Sequence, residues 1–197
     1  MRDAVEATSP APVEEAVSSA LARGDVRSAA EALAEAYGAE VYGWLAAVLG
    51  PVEAADVHGA VMLRVVSALA TFRGESSART WLYAVARNEA RQWMRSARRR
   101  RRLLTPLEDH PSAADRAASV RTDPGAADRI AALRARLSAD DRSLLVLRID
   151  RGFAYPEIAR IGMPTAPDEA IAREAARLRQ RVHEIKRRLR RWSEAPS

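Results

Sequence analysis

Residues 71–95 read TFRGESSARTWLYAVARNEARQWMR, and this stretch decides the fold of the first half of the chain. It opens on a turn at Phe72-Arg73-Gly74. A helix follows, since Leu82, Ala86 and Trp93 fall on one side at about 100° per residue. A neighbouring stripe, whose members all lie within about 40° of Trp81 around the helix, combines an aromatic ring with two amides and two guanidinium groups. Its members are Trp81, Asn88, Gln92, Arg95 and Arg99.

The side chains of this stripe are suited to nucleic acid. Amides and aromatic rings can hold a base, while guanidinium groups hold phosphates. The alternative is that Trp81 packs in the hydrophobic core and the polar residues are simply exposed. For Trp81 alone both interpretations stay open, whereas the five residues together favour a nucleic-acid surface.

Positive charge is concentrated in two blocks of an otherwise acidic chain. Residues 87–102 hold eight arginines and one acid, and residues 173–191 hold eight arginines and one lysine against two acids. Each block carries a charge of +7, and because the net charge is +6, all other residues sum to −8. This asymmetry is typical of a protein that binds a polyanion. Two solvated helix faces are the alternative.

Helical periodicity over most of the chain predicts an all-α fold of two small domains. Residues 1–25 are expected to form a loose or weakly helical leader. Residues 26–102 predict a bundle of three helices, broken at Gly50-Pro51 and at the turn before residue 75. Residues 103–127 hold three prolines and a net charge of −2, which predicts a flexible acidic linker.

Residues 128–192 predict a second helical domain. Ser138 caps a helix, with Asp141 as the acidic partner of a capping box, and Gly152 ends that helix. A short helix over residues 155–161 and a long basic helix from Thr165 complete the order of a helix-turn-helix. Apolar residues of the long helix follow a 4-3-4-3-4 spacing, which favours a core face over a coiled coil.

Composition and motifs argue against several function classes. The chain has no cysteine, and its three histidines lie in separate segments without other ligands at metal-binding spacing. It has no glycine-rich phosphate loop. We therefore expect no enzyme activity, metal, cofactor or small-molecule substrate. An acidic N-terminus and an apolar run of only residues 41–49 predict a cytoplasmic protein that is not inserted in a membrane.

Three motifs in residues 71–95 closely resemble the promoter-melting segment of the extracytoplasmic-function sigma factors of bacterial RNA polymerase. They are Phe72-Arg73-Gly74, Thr80-Trp81-Leu82 and the pair Arg87-Asn88. In the second domain, RSLLVLRIDRGFAYPEIARIG resembles the first half of the family's helix-turn-helix, and LRQRVHEIKRRL resembles its recognition helix. The resemblance covers residues 26–102 and 128–192, with an acidic linker between them as in the family.

The resemblance implies a sigma factor that directs core RNA polymerase to specific promoters and assists melting. Its first domain would bind the polymerase clamp and the non-template strand of the minus-ten element, with Asn88 lining the pocket for a flipped base. The implied minus-ten residues are Arg79, Trp81, Arg87, Asn88, Gln92, Arg95 and Arg99. The implied minus-thirty-five residues are Arg177, Arg179, Gln180, Arg181, His183, Glu184 and Lys186. Core polymerase and promoter DNA are the implied partners, and an anti-sigma factor is left open.

The chain departs from the family on the helix implied to contact polymerase, where Asp56 and Arg64 are the candidate residues. Gly59 and Ala60 stand where the family carries a polar docking pair, and a glycine inside a helix costs about 1 kcal/mol relative to alanine. This departure leaves a second hypothesis open. The chain would then be a DNA-binding transcriptional regulator, derived from a sigma factor, that no longer docks productively on core polymerase.

Three further departures lie in the second domain. Ala154 replaces a capping serine, and residues 163–176 lengthen the turn before the recognition helix. Glu184 replaces a base-reading arginine and would prefer a cytosine amine to a guanine. The promoter sequence is therefore not transferable from relatives.

Overall fold

A computed structural model describes residues 10–104 and 126–194, here called the first and second halves. Every regular element within these two ranges is helical, as the sequence predicted. The first half contains α1 (Pro10–Ala22), α2 (Val26–Leu49), α3 (Pro51–Ala68), a 3-10 turn (Leu69–Thr71) and α4 (Ala78–Leu104). The second half contains α5 (Ala126–Ala135), α6 (Ala139–Leu145) continuing into a π turn (Val146–Asp150), α7 (Tyr155–Gly162) and α8 (Asp168–Glu194).

Local breaking signals end the helices where the sequence predicted. Gly50 has a φ of 103° between α2 and α3, and Pro51 occupies the first turn of α3. Gly152 has a φ of 72° after the π turn. Such positive φ angles favour glycine, because a Cβ is strained in that conformation. The predicted start of the last helix at Thr165 is three residues early, since α8 begins at Asp168.

The sequence predicted a loose or weakly helical leader over residues 1–25; residues 10–22 are helical, as α1, but this helix is packed into the core instead of being loose. Val13 and Val17 are buried in the core, and α1 packs along α2. The carboxylate of Glu14 accepts a 2.8 Å hydrogen bond from the backbone N–H of Ala78, in the first turn of α4. A negative charge at this end of a helix is favourable. Residues 1–9 and most of the predicted linker, residues 105–125, lie outside the described residues.

The two halves pack against each other around one hydrophobic cluster. The ring centroids of Trp44 and Tyr83 lie 5.8 Å apart, and those of Tyr83 and Phe153 lie 4.9 Å apart, so the aromatic contacts run from α2 through α4 into the second half. The indole N–H of Trp44 donates to Ser143 Oγ at 3.2 Å. A division into domains at residues 26–102 and 128–192 stays a prediction, since the two cores are continuous.

The regularly spaced apolar residues of α8 pack against other helices of the same chain. Ile171, Ala175, Val182 and Ile185 are all buried, and α8 packs on α7, α6 and α5. The sequence-based preference for a core face over a coiled coil is confirmed. The opposite side of α8 carries the second block of positive charge.

The segment Pro51–Thr71 is long and apolar enough to cross a membrane by length and composition alone, with a mean hydropathy of 1.2. It is longer than the apolar run at residues 41–49 on which the sequence-based expectation rested. Val57, Val61 and Val65 of α3 are buried against the other helices, and 28% of the most apolar 18-residue window in this segment is buried. Other apolar residues of α3 are exposed, with Val52 at 77% and Leu63 at 76% of full exposure.

Candidate nucleic-acid interface

Trp81, in the first turns of α4, is half-buried. It therefore agrees in part with each sequence-based interpretation, packing in the core and contact with a base. Its ring packs at a tilt against Phe72, with the centroids 5.6 Å apart, so it anchors the preceding turn to the helix. Part of the indole still faces solvent. A partly exposed aromatic ring held by a neighbour can act as a stacking platform for a base.

The remaining members of the α4 stripe point into solvent. Asn88, Gln92, Arg95 and Arg99 are all exposed. Within residues 10–104 and 126–194, none of the four has a hydrogen-bond or ion-pair partner. The structure thus brings an aromatic ring, two amides and two guanidinium groups to one open side of α4.

Arg79, predicted to contact DNA, lies in the contact between the halves. Its Nε donates to Glu40 at 3.2 Å, its Nη2 donates to the backbone carbonyl of Arg151 at 2.9 Å, and the Tyr83 hydroxyl donates to the same Glu40 oxygen at 3.0 Å. The Arg79 Cζ lies 4.2 Å from the ring centroid of Phe153. Arg79 therefore holds the second half against α2 and α4.

Arg87, also predicted to contact DNA, faces the second half as well. Its Nη1 lies 3.4 Å from the carbonyl oxygen of Gly162, and it borders a cavity of about 300 Å³ between α4 and the second half. Burial lowers the pKa of Arg87, and the nearby charge of Arg91 lowers it further. Arg79 and Arg87 thus lie on a different side of α4 from the exposed stripe.

All seven predicted residues of α8 are exposed. Arg177, Gln180, Arg181 and Glu184 line one groove of about 600 Å³. Three further arginines line the same groove and were missed in the sequence-based set: Arg187, Arg188 and Arg191. The rest of the predicted set, Arg179, His183 and Lys186, lies outside this groove, and Arg179 stacks near Tyr155 with its Cζ 5.4 Å from the ring centroid.

Asp141 is a buried acid at the wall of this groove, whereas the sequence pattern predicted for it the acidic position of a capping box. Its backbone N–H donates to Ser138 Oγ at 3.2 Å, so the predicted serine cap is confirmed. Its carboxylate, however, does not complete a capping box. Oδ1 accepts from Arg181 Nε at 2.7 Å, and Oδ2 accepts from Arg188 Nη2. No local sequence pattern predicts these two ion pairs, because 40 residues or more separate the partners.

The electrostatics of Asp141 follow from these contacts. Burial alone would raise the pKa of its carboxyl group, because the charged form loses water. The hydrogen bonds from Arg188 and Arg181 outweigh that effect, and the pKa lies below its usual value. Asp141 is therefore a carboxylate at neutral pH.

The candidate polymerase-binding residues lie on the exposed side of α3. Asp56 and Arg64 are both exposed, as are Gly59 and Ala60 between them. A Cβ added to Gly59 would meet no atom within 4 Å. Nothing in the described part of the chain therefore requires a glycine at this position.

Two departures from the family pattern lie next to α7, the missing serine cap at Ala154 and the lengthened segment at residues 163–176, and contacts within the second half stabilise both. No side chain caps α7 at Ala154, but the carboxylate of Glu157 accepts a 2.7 Å hydrogen bond from the Ala154 N–H. The added turns of α8 pack on α7 through Ile171 and Ala175. Arg160 donates to Asp168 at 2.5 Å across the same contact. The lengthened segment is thus an ordered extension of α8.

Comparison with known proteins gives two similarities. Residues 33–100 match the sigma-70 region 2 family. The fold is similar to that of the sigma factor RpoE from Bartonella quintana, solved in complex with the anti-sigma factor NepR, with a TM-score of 0.54 and 19% sequence identity over 78% of this chain and 94% of that one. No curated protein matches the chain.

Proposed function

We propose that this chain is a divergent member of the extracytoplasmic-function sigma factors that directs core RNA polymerase to specific promoters and assists their melting. It would perform no catalysis of its own. The observation that carries the proposal is the open stripe on α4, which lies within the residues that match sigma-70 region 2. The two arginine blocks, each on one long helix, supply the charge that such a protein needs to hold DNA.

The α4 stripe would hold the melted non-template strand of the minus-ten element. Extruding a base costs a few kcal/mol, and stacking on an aromatic ring returns about 1–3 kcal/mol per base. Trp81, fixed by Phe72, would provide the stacking surface, and Asn88 would hydrogen-bond the flipped base. Arg95 and Arg99 would hold the adjacent phosphates. Arg79 and Arg87, on a different side of α4, would become available to DNA only after the second half moves away.

The groove side of α8 would read the minus-thirty-five element in the major groove. The two promoter elements lie about 25 base pairs apart, or roughly 85 Å at 3.4 Å per base pair. The two halves in contact form one body with a shared core, so promoter binding would require them to separate. The 21 residues between α4 and α5 would reach roughly 70 Å if fully extended, which is sufficient once the size of the halves is added.

Core RNA polymerase and promoter DNA are the proposed partners, with α3 as the docking helix for polymerase. The structure of the Bartonella quintana protein contains an anti-sigma factor. We infer that an anti-sigma factor is a third partner of this chain.

One observation favours a second candidate function. Gly59 and Ala60 are exposed on α3 and offer no polar group to polymerase. The chain would then be a sigma-derived DNA-binding regulator that acts without docking productively on core. Strong binding to duplex promoter DNA in the absence of core polymerase would support this second function.

The proposal is tested by separating core binding from promoter opening. Asn88→Ala should leave the capture of core polymerase unchanged and should reduce the reactivity of unpaired thymines in the minus-ten region. Ser18→Ala, an exposed change on α1, is the matched control and should alter neither readout. Equal losses of core binding and opening in Asn88→Ala would argue against a base pocket at this residue.

A further inference from the structure

The groove along α8 contains one arginine, Arg181, that is held by a hydrogen bond to the buried carboxylate of Asp141. The Asp141 side chain is 7% exposed, whereas that of Arg181 is 49% exposed. Arg181 gives its Nε to Asp141 Oδ1 at 2.7 Å. Within the described residues, the two terminal Nη groups of Arg181 have no hydrogen-bond partner. The side chain is thus held at its inner edge and free at its outer edge.

We propose that Asp141 is a positioning residue that orients Arg181 to read a guanine, an inference that rests on the proposed promoter recognition by α8. The free Nη1 and Nη2 groups form a two-donor edge, and guanine offers two acceptors, O6 and N7, in the major groove. Gln180 and Glu184 line the same groove and are placed to contact neighbouring bases.

Holding the arginine in place before DNA arrives is what makes the contact selective. A free arginine loses rotamer freedom when it binds, and it reaches a phosphate as readily as a base. A carboxylate on Nε fixes the plane of the guanidinium group and reduces that loss. Asp141 itself cannot swing toward the DNA, because it is buried in the first turns of α6.

Arg188 provides the second contact that keeps the carboxylate in place. It donates through Nη2 to Asp141 Oδ2, so each carboxylate oxygen serves a different arginine. Two arginines on one acid leave a net charge of +1 at the groove wall. Arg188 is 39% exposed and lies one turn beyond Glu184, which suits it to a phosphate rather than a base.

The experiment is a selection from randomised DNA duplexes, using the full chain with and without core RNA polymerase. Asp141→Asn keeps the shape of the side chain but removes its charge. It should reduce the preference for guanine at one position about tenfold and leave the other positions unchanged. Its affinity for non-specific DNA should stay equal or rise, because a negative charge near the groove is gone.

Two further variants make the result specific. Arg181→Gln keeps the Asp141–Arg188 pair and should lose the guanine preference at that same position. Arg187→Gln is the matched control, because Arg187 lines the same groove while Asp141 accepts from Arg181 and Arg188; it should weaken binding to all sequences and keep the guanine preference. If Asp141→Asn does not fold, as judged by circular dichroism, Asp141→Glu takes its place: it keeps the charge but moves the carboxylate relative to Arg181 Nε, and it should reduce the guanine preference at the same position.

Several results would overturn the inference. One is an unchanged guanine preference in Arg181→Gln or in a folded Asp141→Asn. Another is an equal loss of preference at every position in Asp141→Asn, which would mean a merely structural role. A wild-type chain that selects no sequence at all would instead contradict the proposed promoter recognition, and the inference with it.

Discussion

The guanidinium group of Arg79 lies on the ring of Phe153, with its Cζ 4.2 Å from the ring centroid. Phe153 is 1% exposed and also meets Tyr83 edge to face. The segment between the π turn and α7 thus inserts its one phenylalanine between α4 and the rest of the second half. This contact explains why an arginine near the predicted DNA surface faces protein instead.

Replacing Phe153 with alanine should destabilise the chain by about 3–5 kcal/mol, since it removes a fully buried aromatic side chain that joins the halves. Urea unfolding followed by tryptophan fluorescence measures this change. Ile149→Ala is the matched control, because Ile149 is 48% exposed in the preceding π turn, and it should cost under about 1 kcal/mol. Similar losses in both variants would contradict the packing described for Phe153.

Replacing Gly59 and Gly152 with alanine should change the stability of the fold in opposite directions. Gly59 lies inside α3 with open space where a Cβ would be, so Gly59→Ala should stabilise the fold by about 0.5–1 kcal/mol. Gly152 has a φ of 72°, so Gly152→Ala should destabilise the chain. Thermal unfolding of the two variants measures both effects. A loss of stability in Gly59→Ala would mean that the glycine has a structural role in the fold.

The free energy of unfolding should depend on pH through the carboxyl group of Asp141. Its pKa is lowered in the folded chain, so folding favours the carboxylate. The stabilising contribution is therefore fully present above the unfolded pKa of about 3.9, and it is lost as the pH falls through the lower folded value. The wild-type chain should be more stable than Asp141→Asn at pH 7, and this difference should shrink below about pH 4. A difference that stays constant down to pH 2 would contradict an ionised Asp141. Urea unfolding of the wild-type chain and of Asp141→Asn at pH 7 and at pH 2 provides the test.

The salt dependence of single-strand binding tests the positive charge on α4. Replacing Arg95 and Arg99 with glutamine should reduce the slope of log K against log salt by about 1.4, or about 0.7 for each phosphate that is no longer neutralised. Arg23 and Arg27 are exposed outside α4, and the same changes there provide a control with equal net charge. A slope that changes equally in both pairs would show that only the net charge matters.

Helix order and the open α4 stripe were predictable because their signals are local. Periodicity near 3.6 residues indicates the helices of residues 26–102 and 128–192, and the glycines at positions 50 and 152 mark the break between α2 and α3 and the end of the π turn. The missed features depend on distant partners. The burial of α1 is coupled to the Glu14 contact with Ala78, 64 residues away, and the role of Asp141 depends on arginines of α8. The insertion of Arg79 between the halves was hidden for the same reason.

Run-off transcription with purified core RNA polymerase tests the proposed function most directly, with promoters taken from transcript start sites mapped after overexpression of the chain. We expect transcripts of defined length that require both the chain and the promoter, together with capture of core polymerase by the chain. Absence of core binding, with no promoter-specific transcript at any added concentration, would contradict a sigma-factor function.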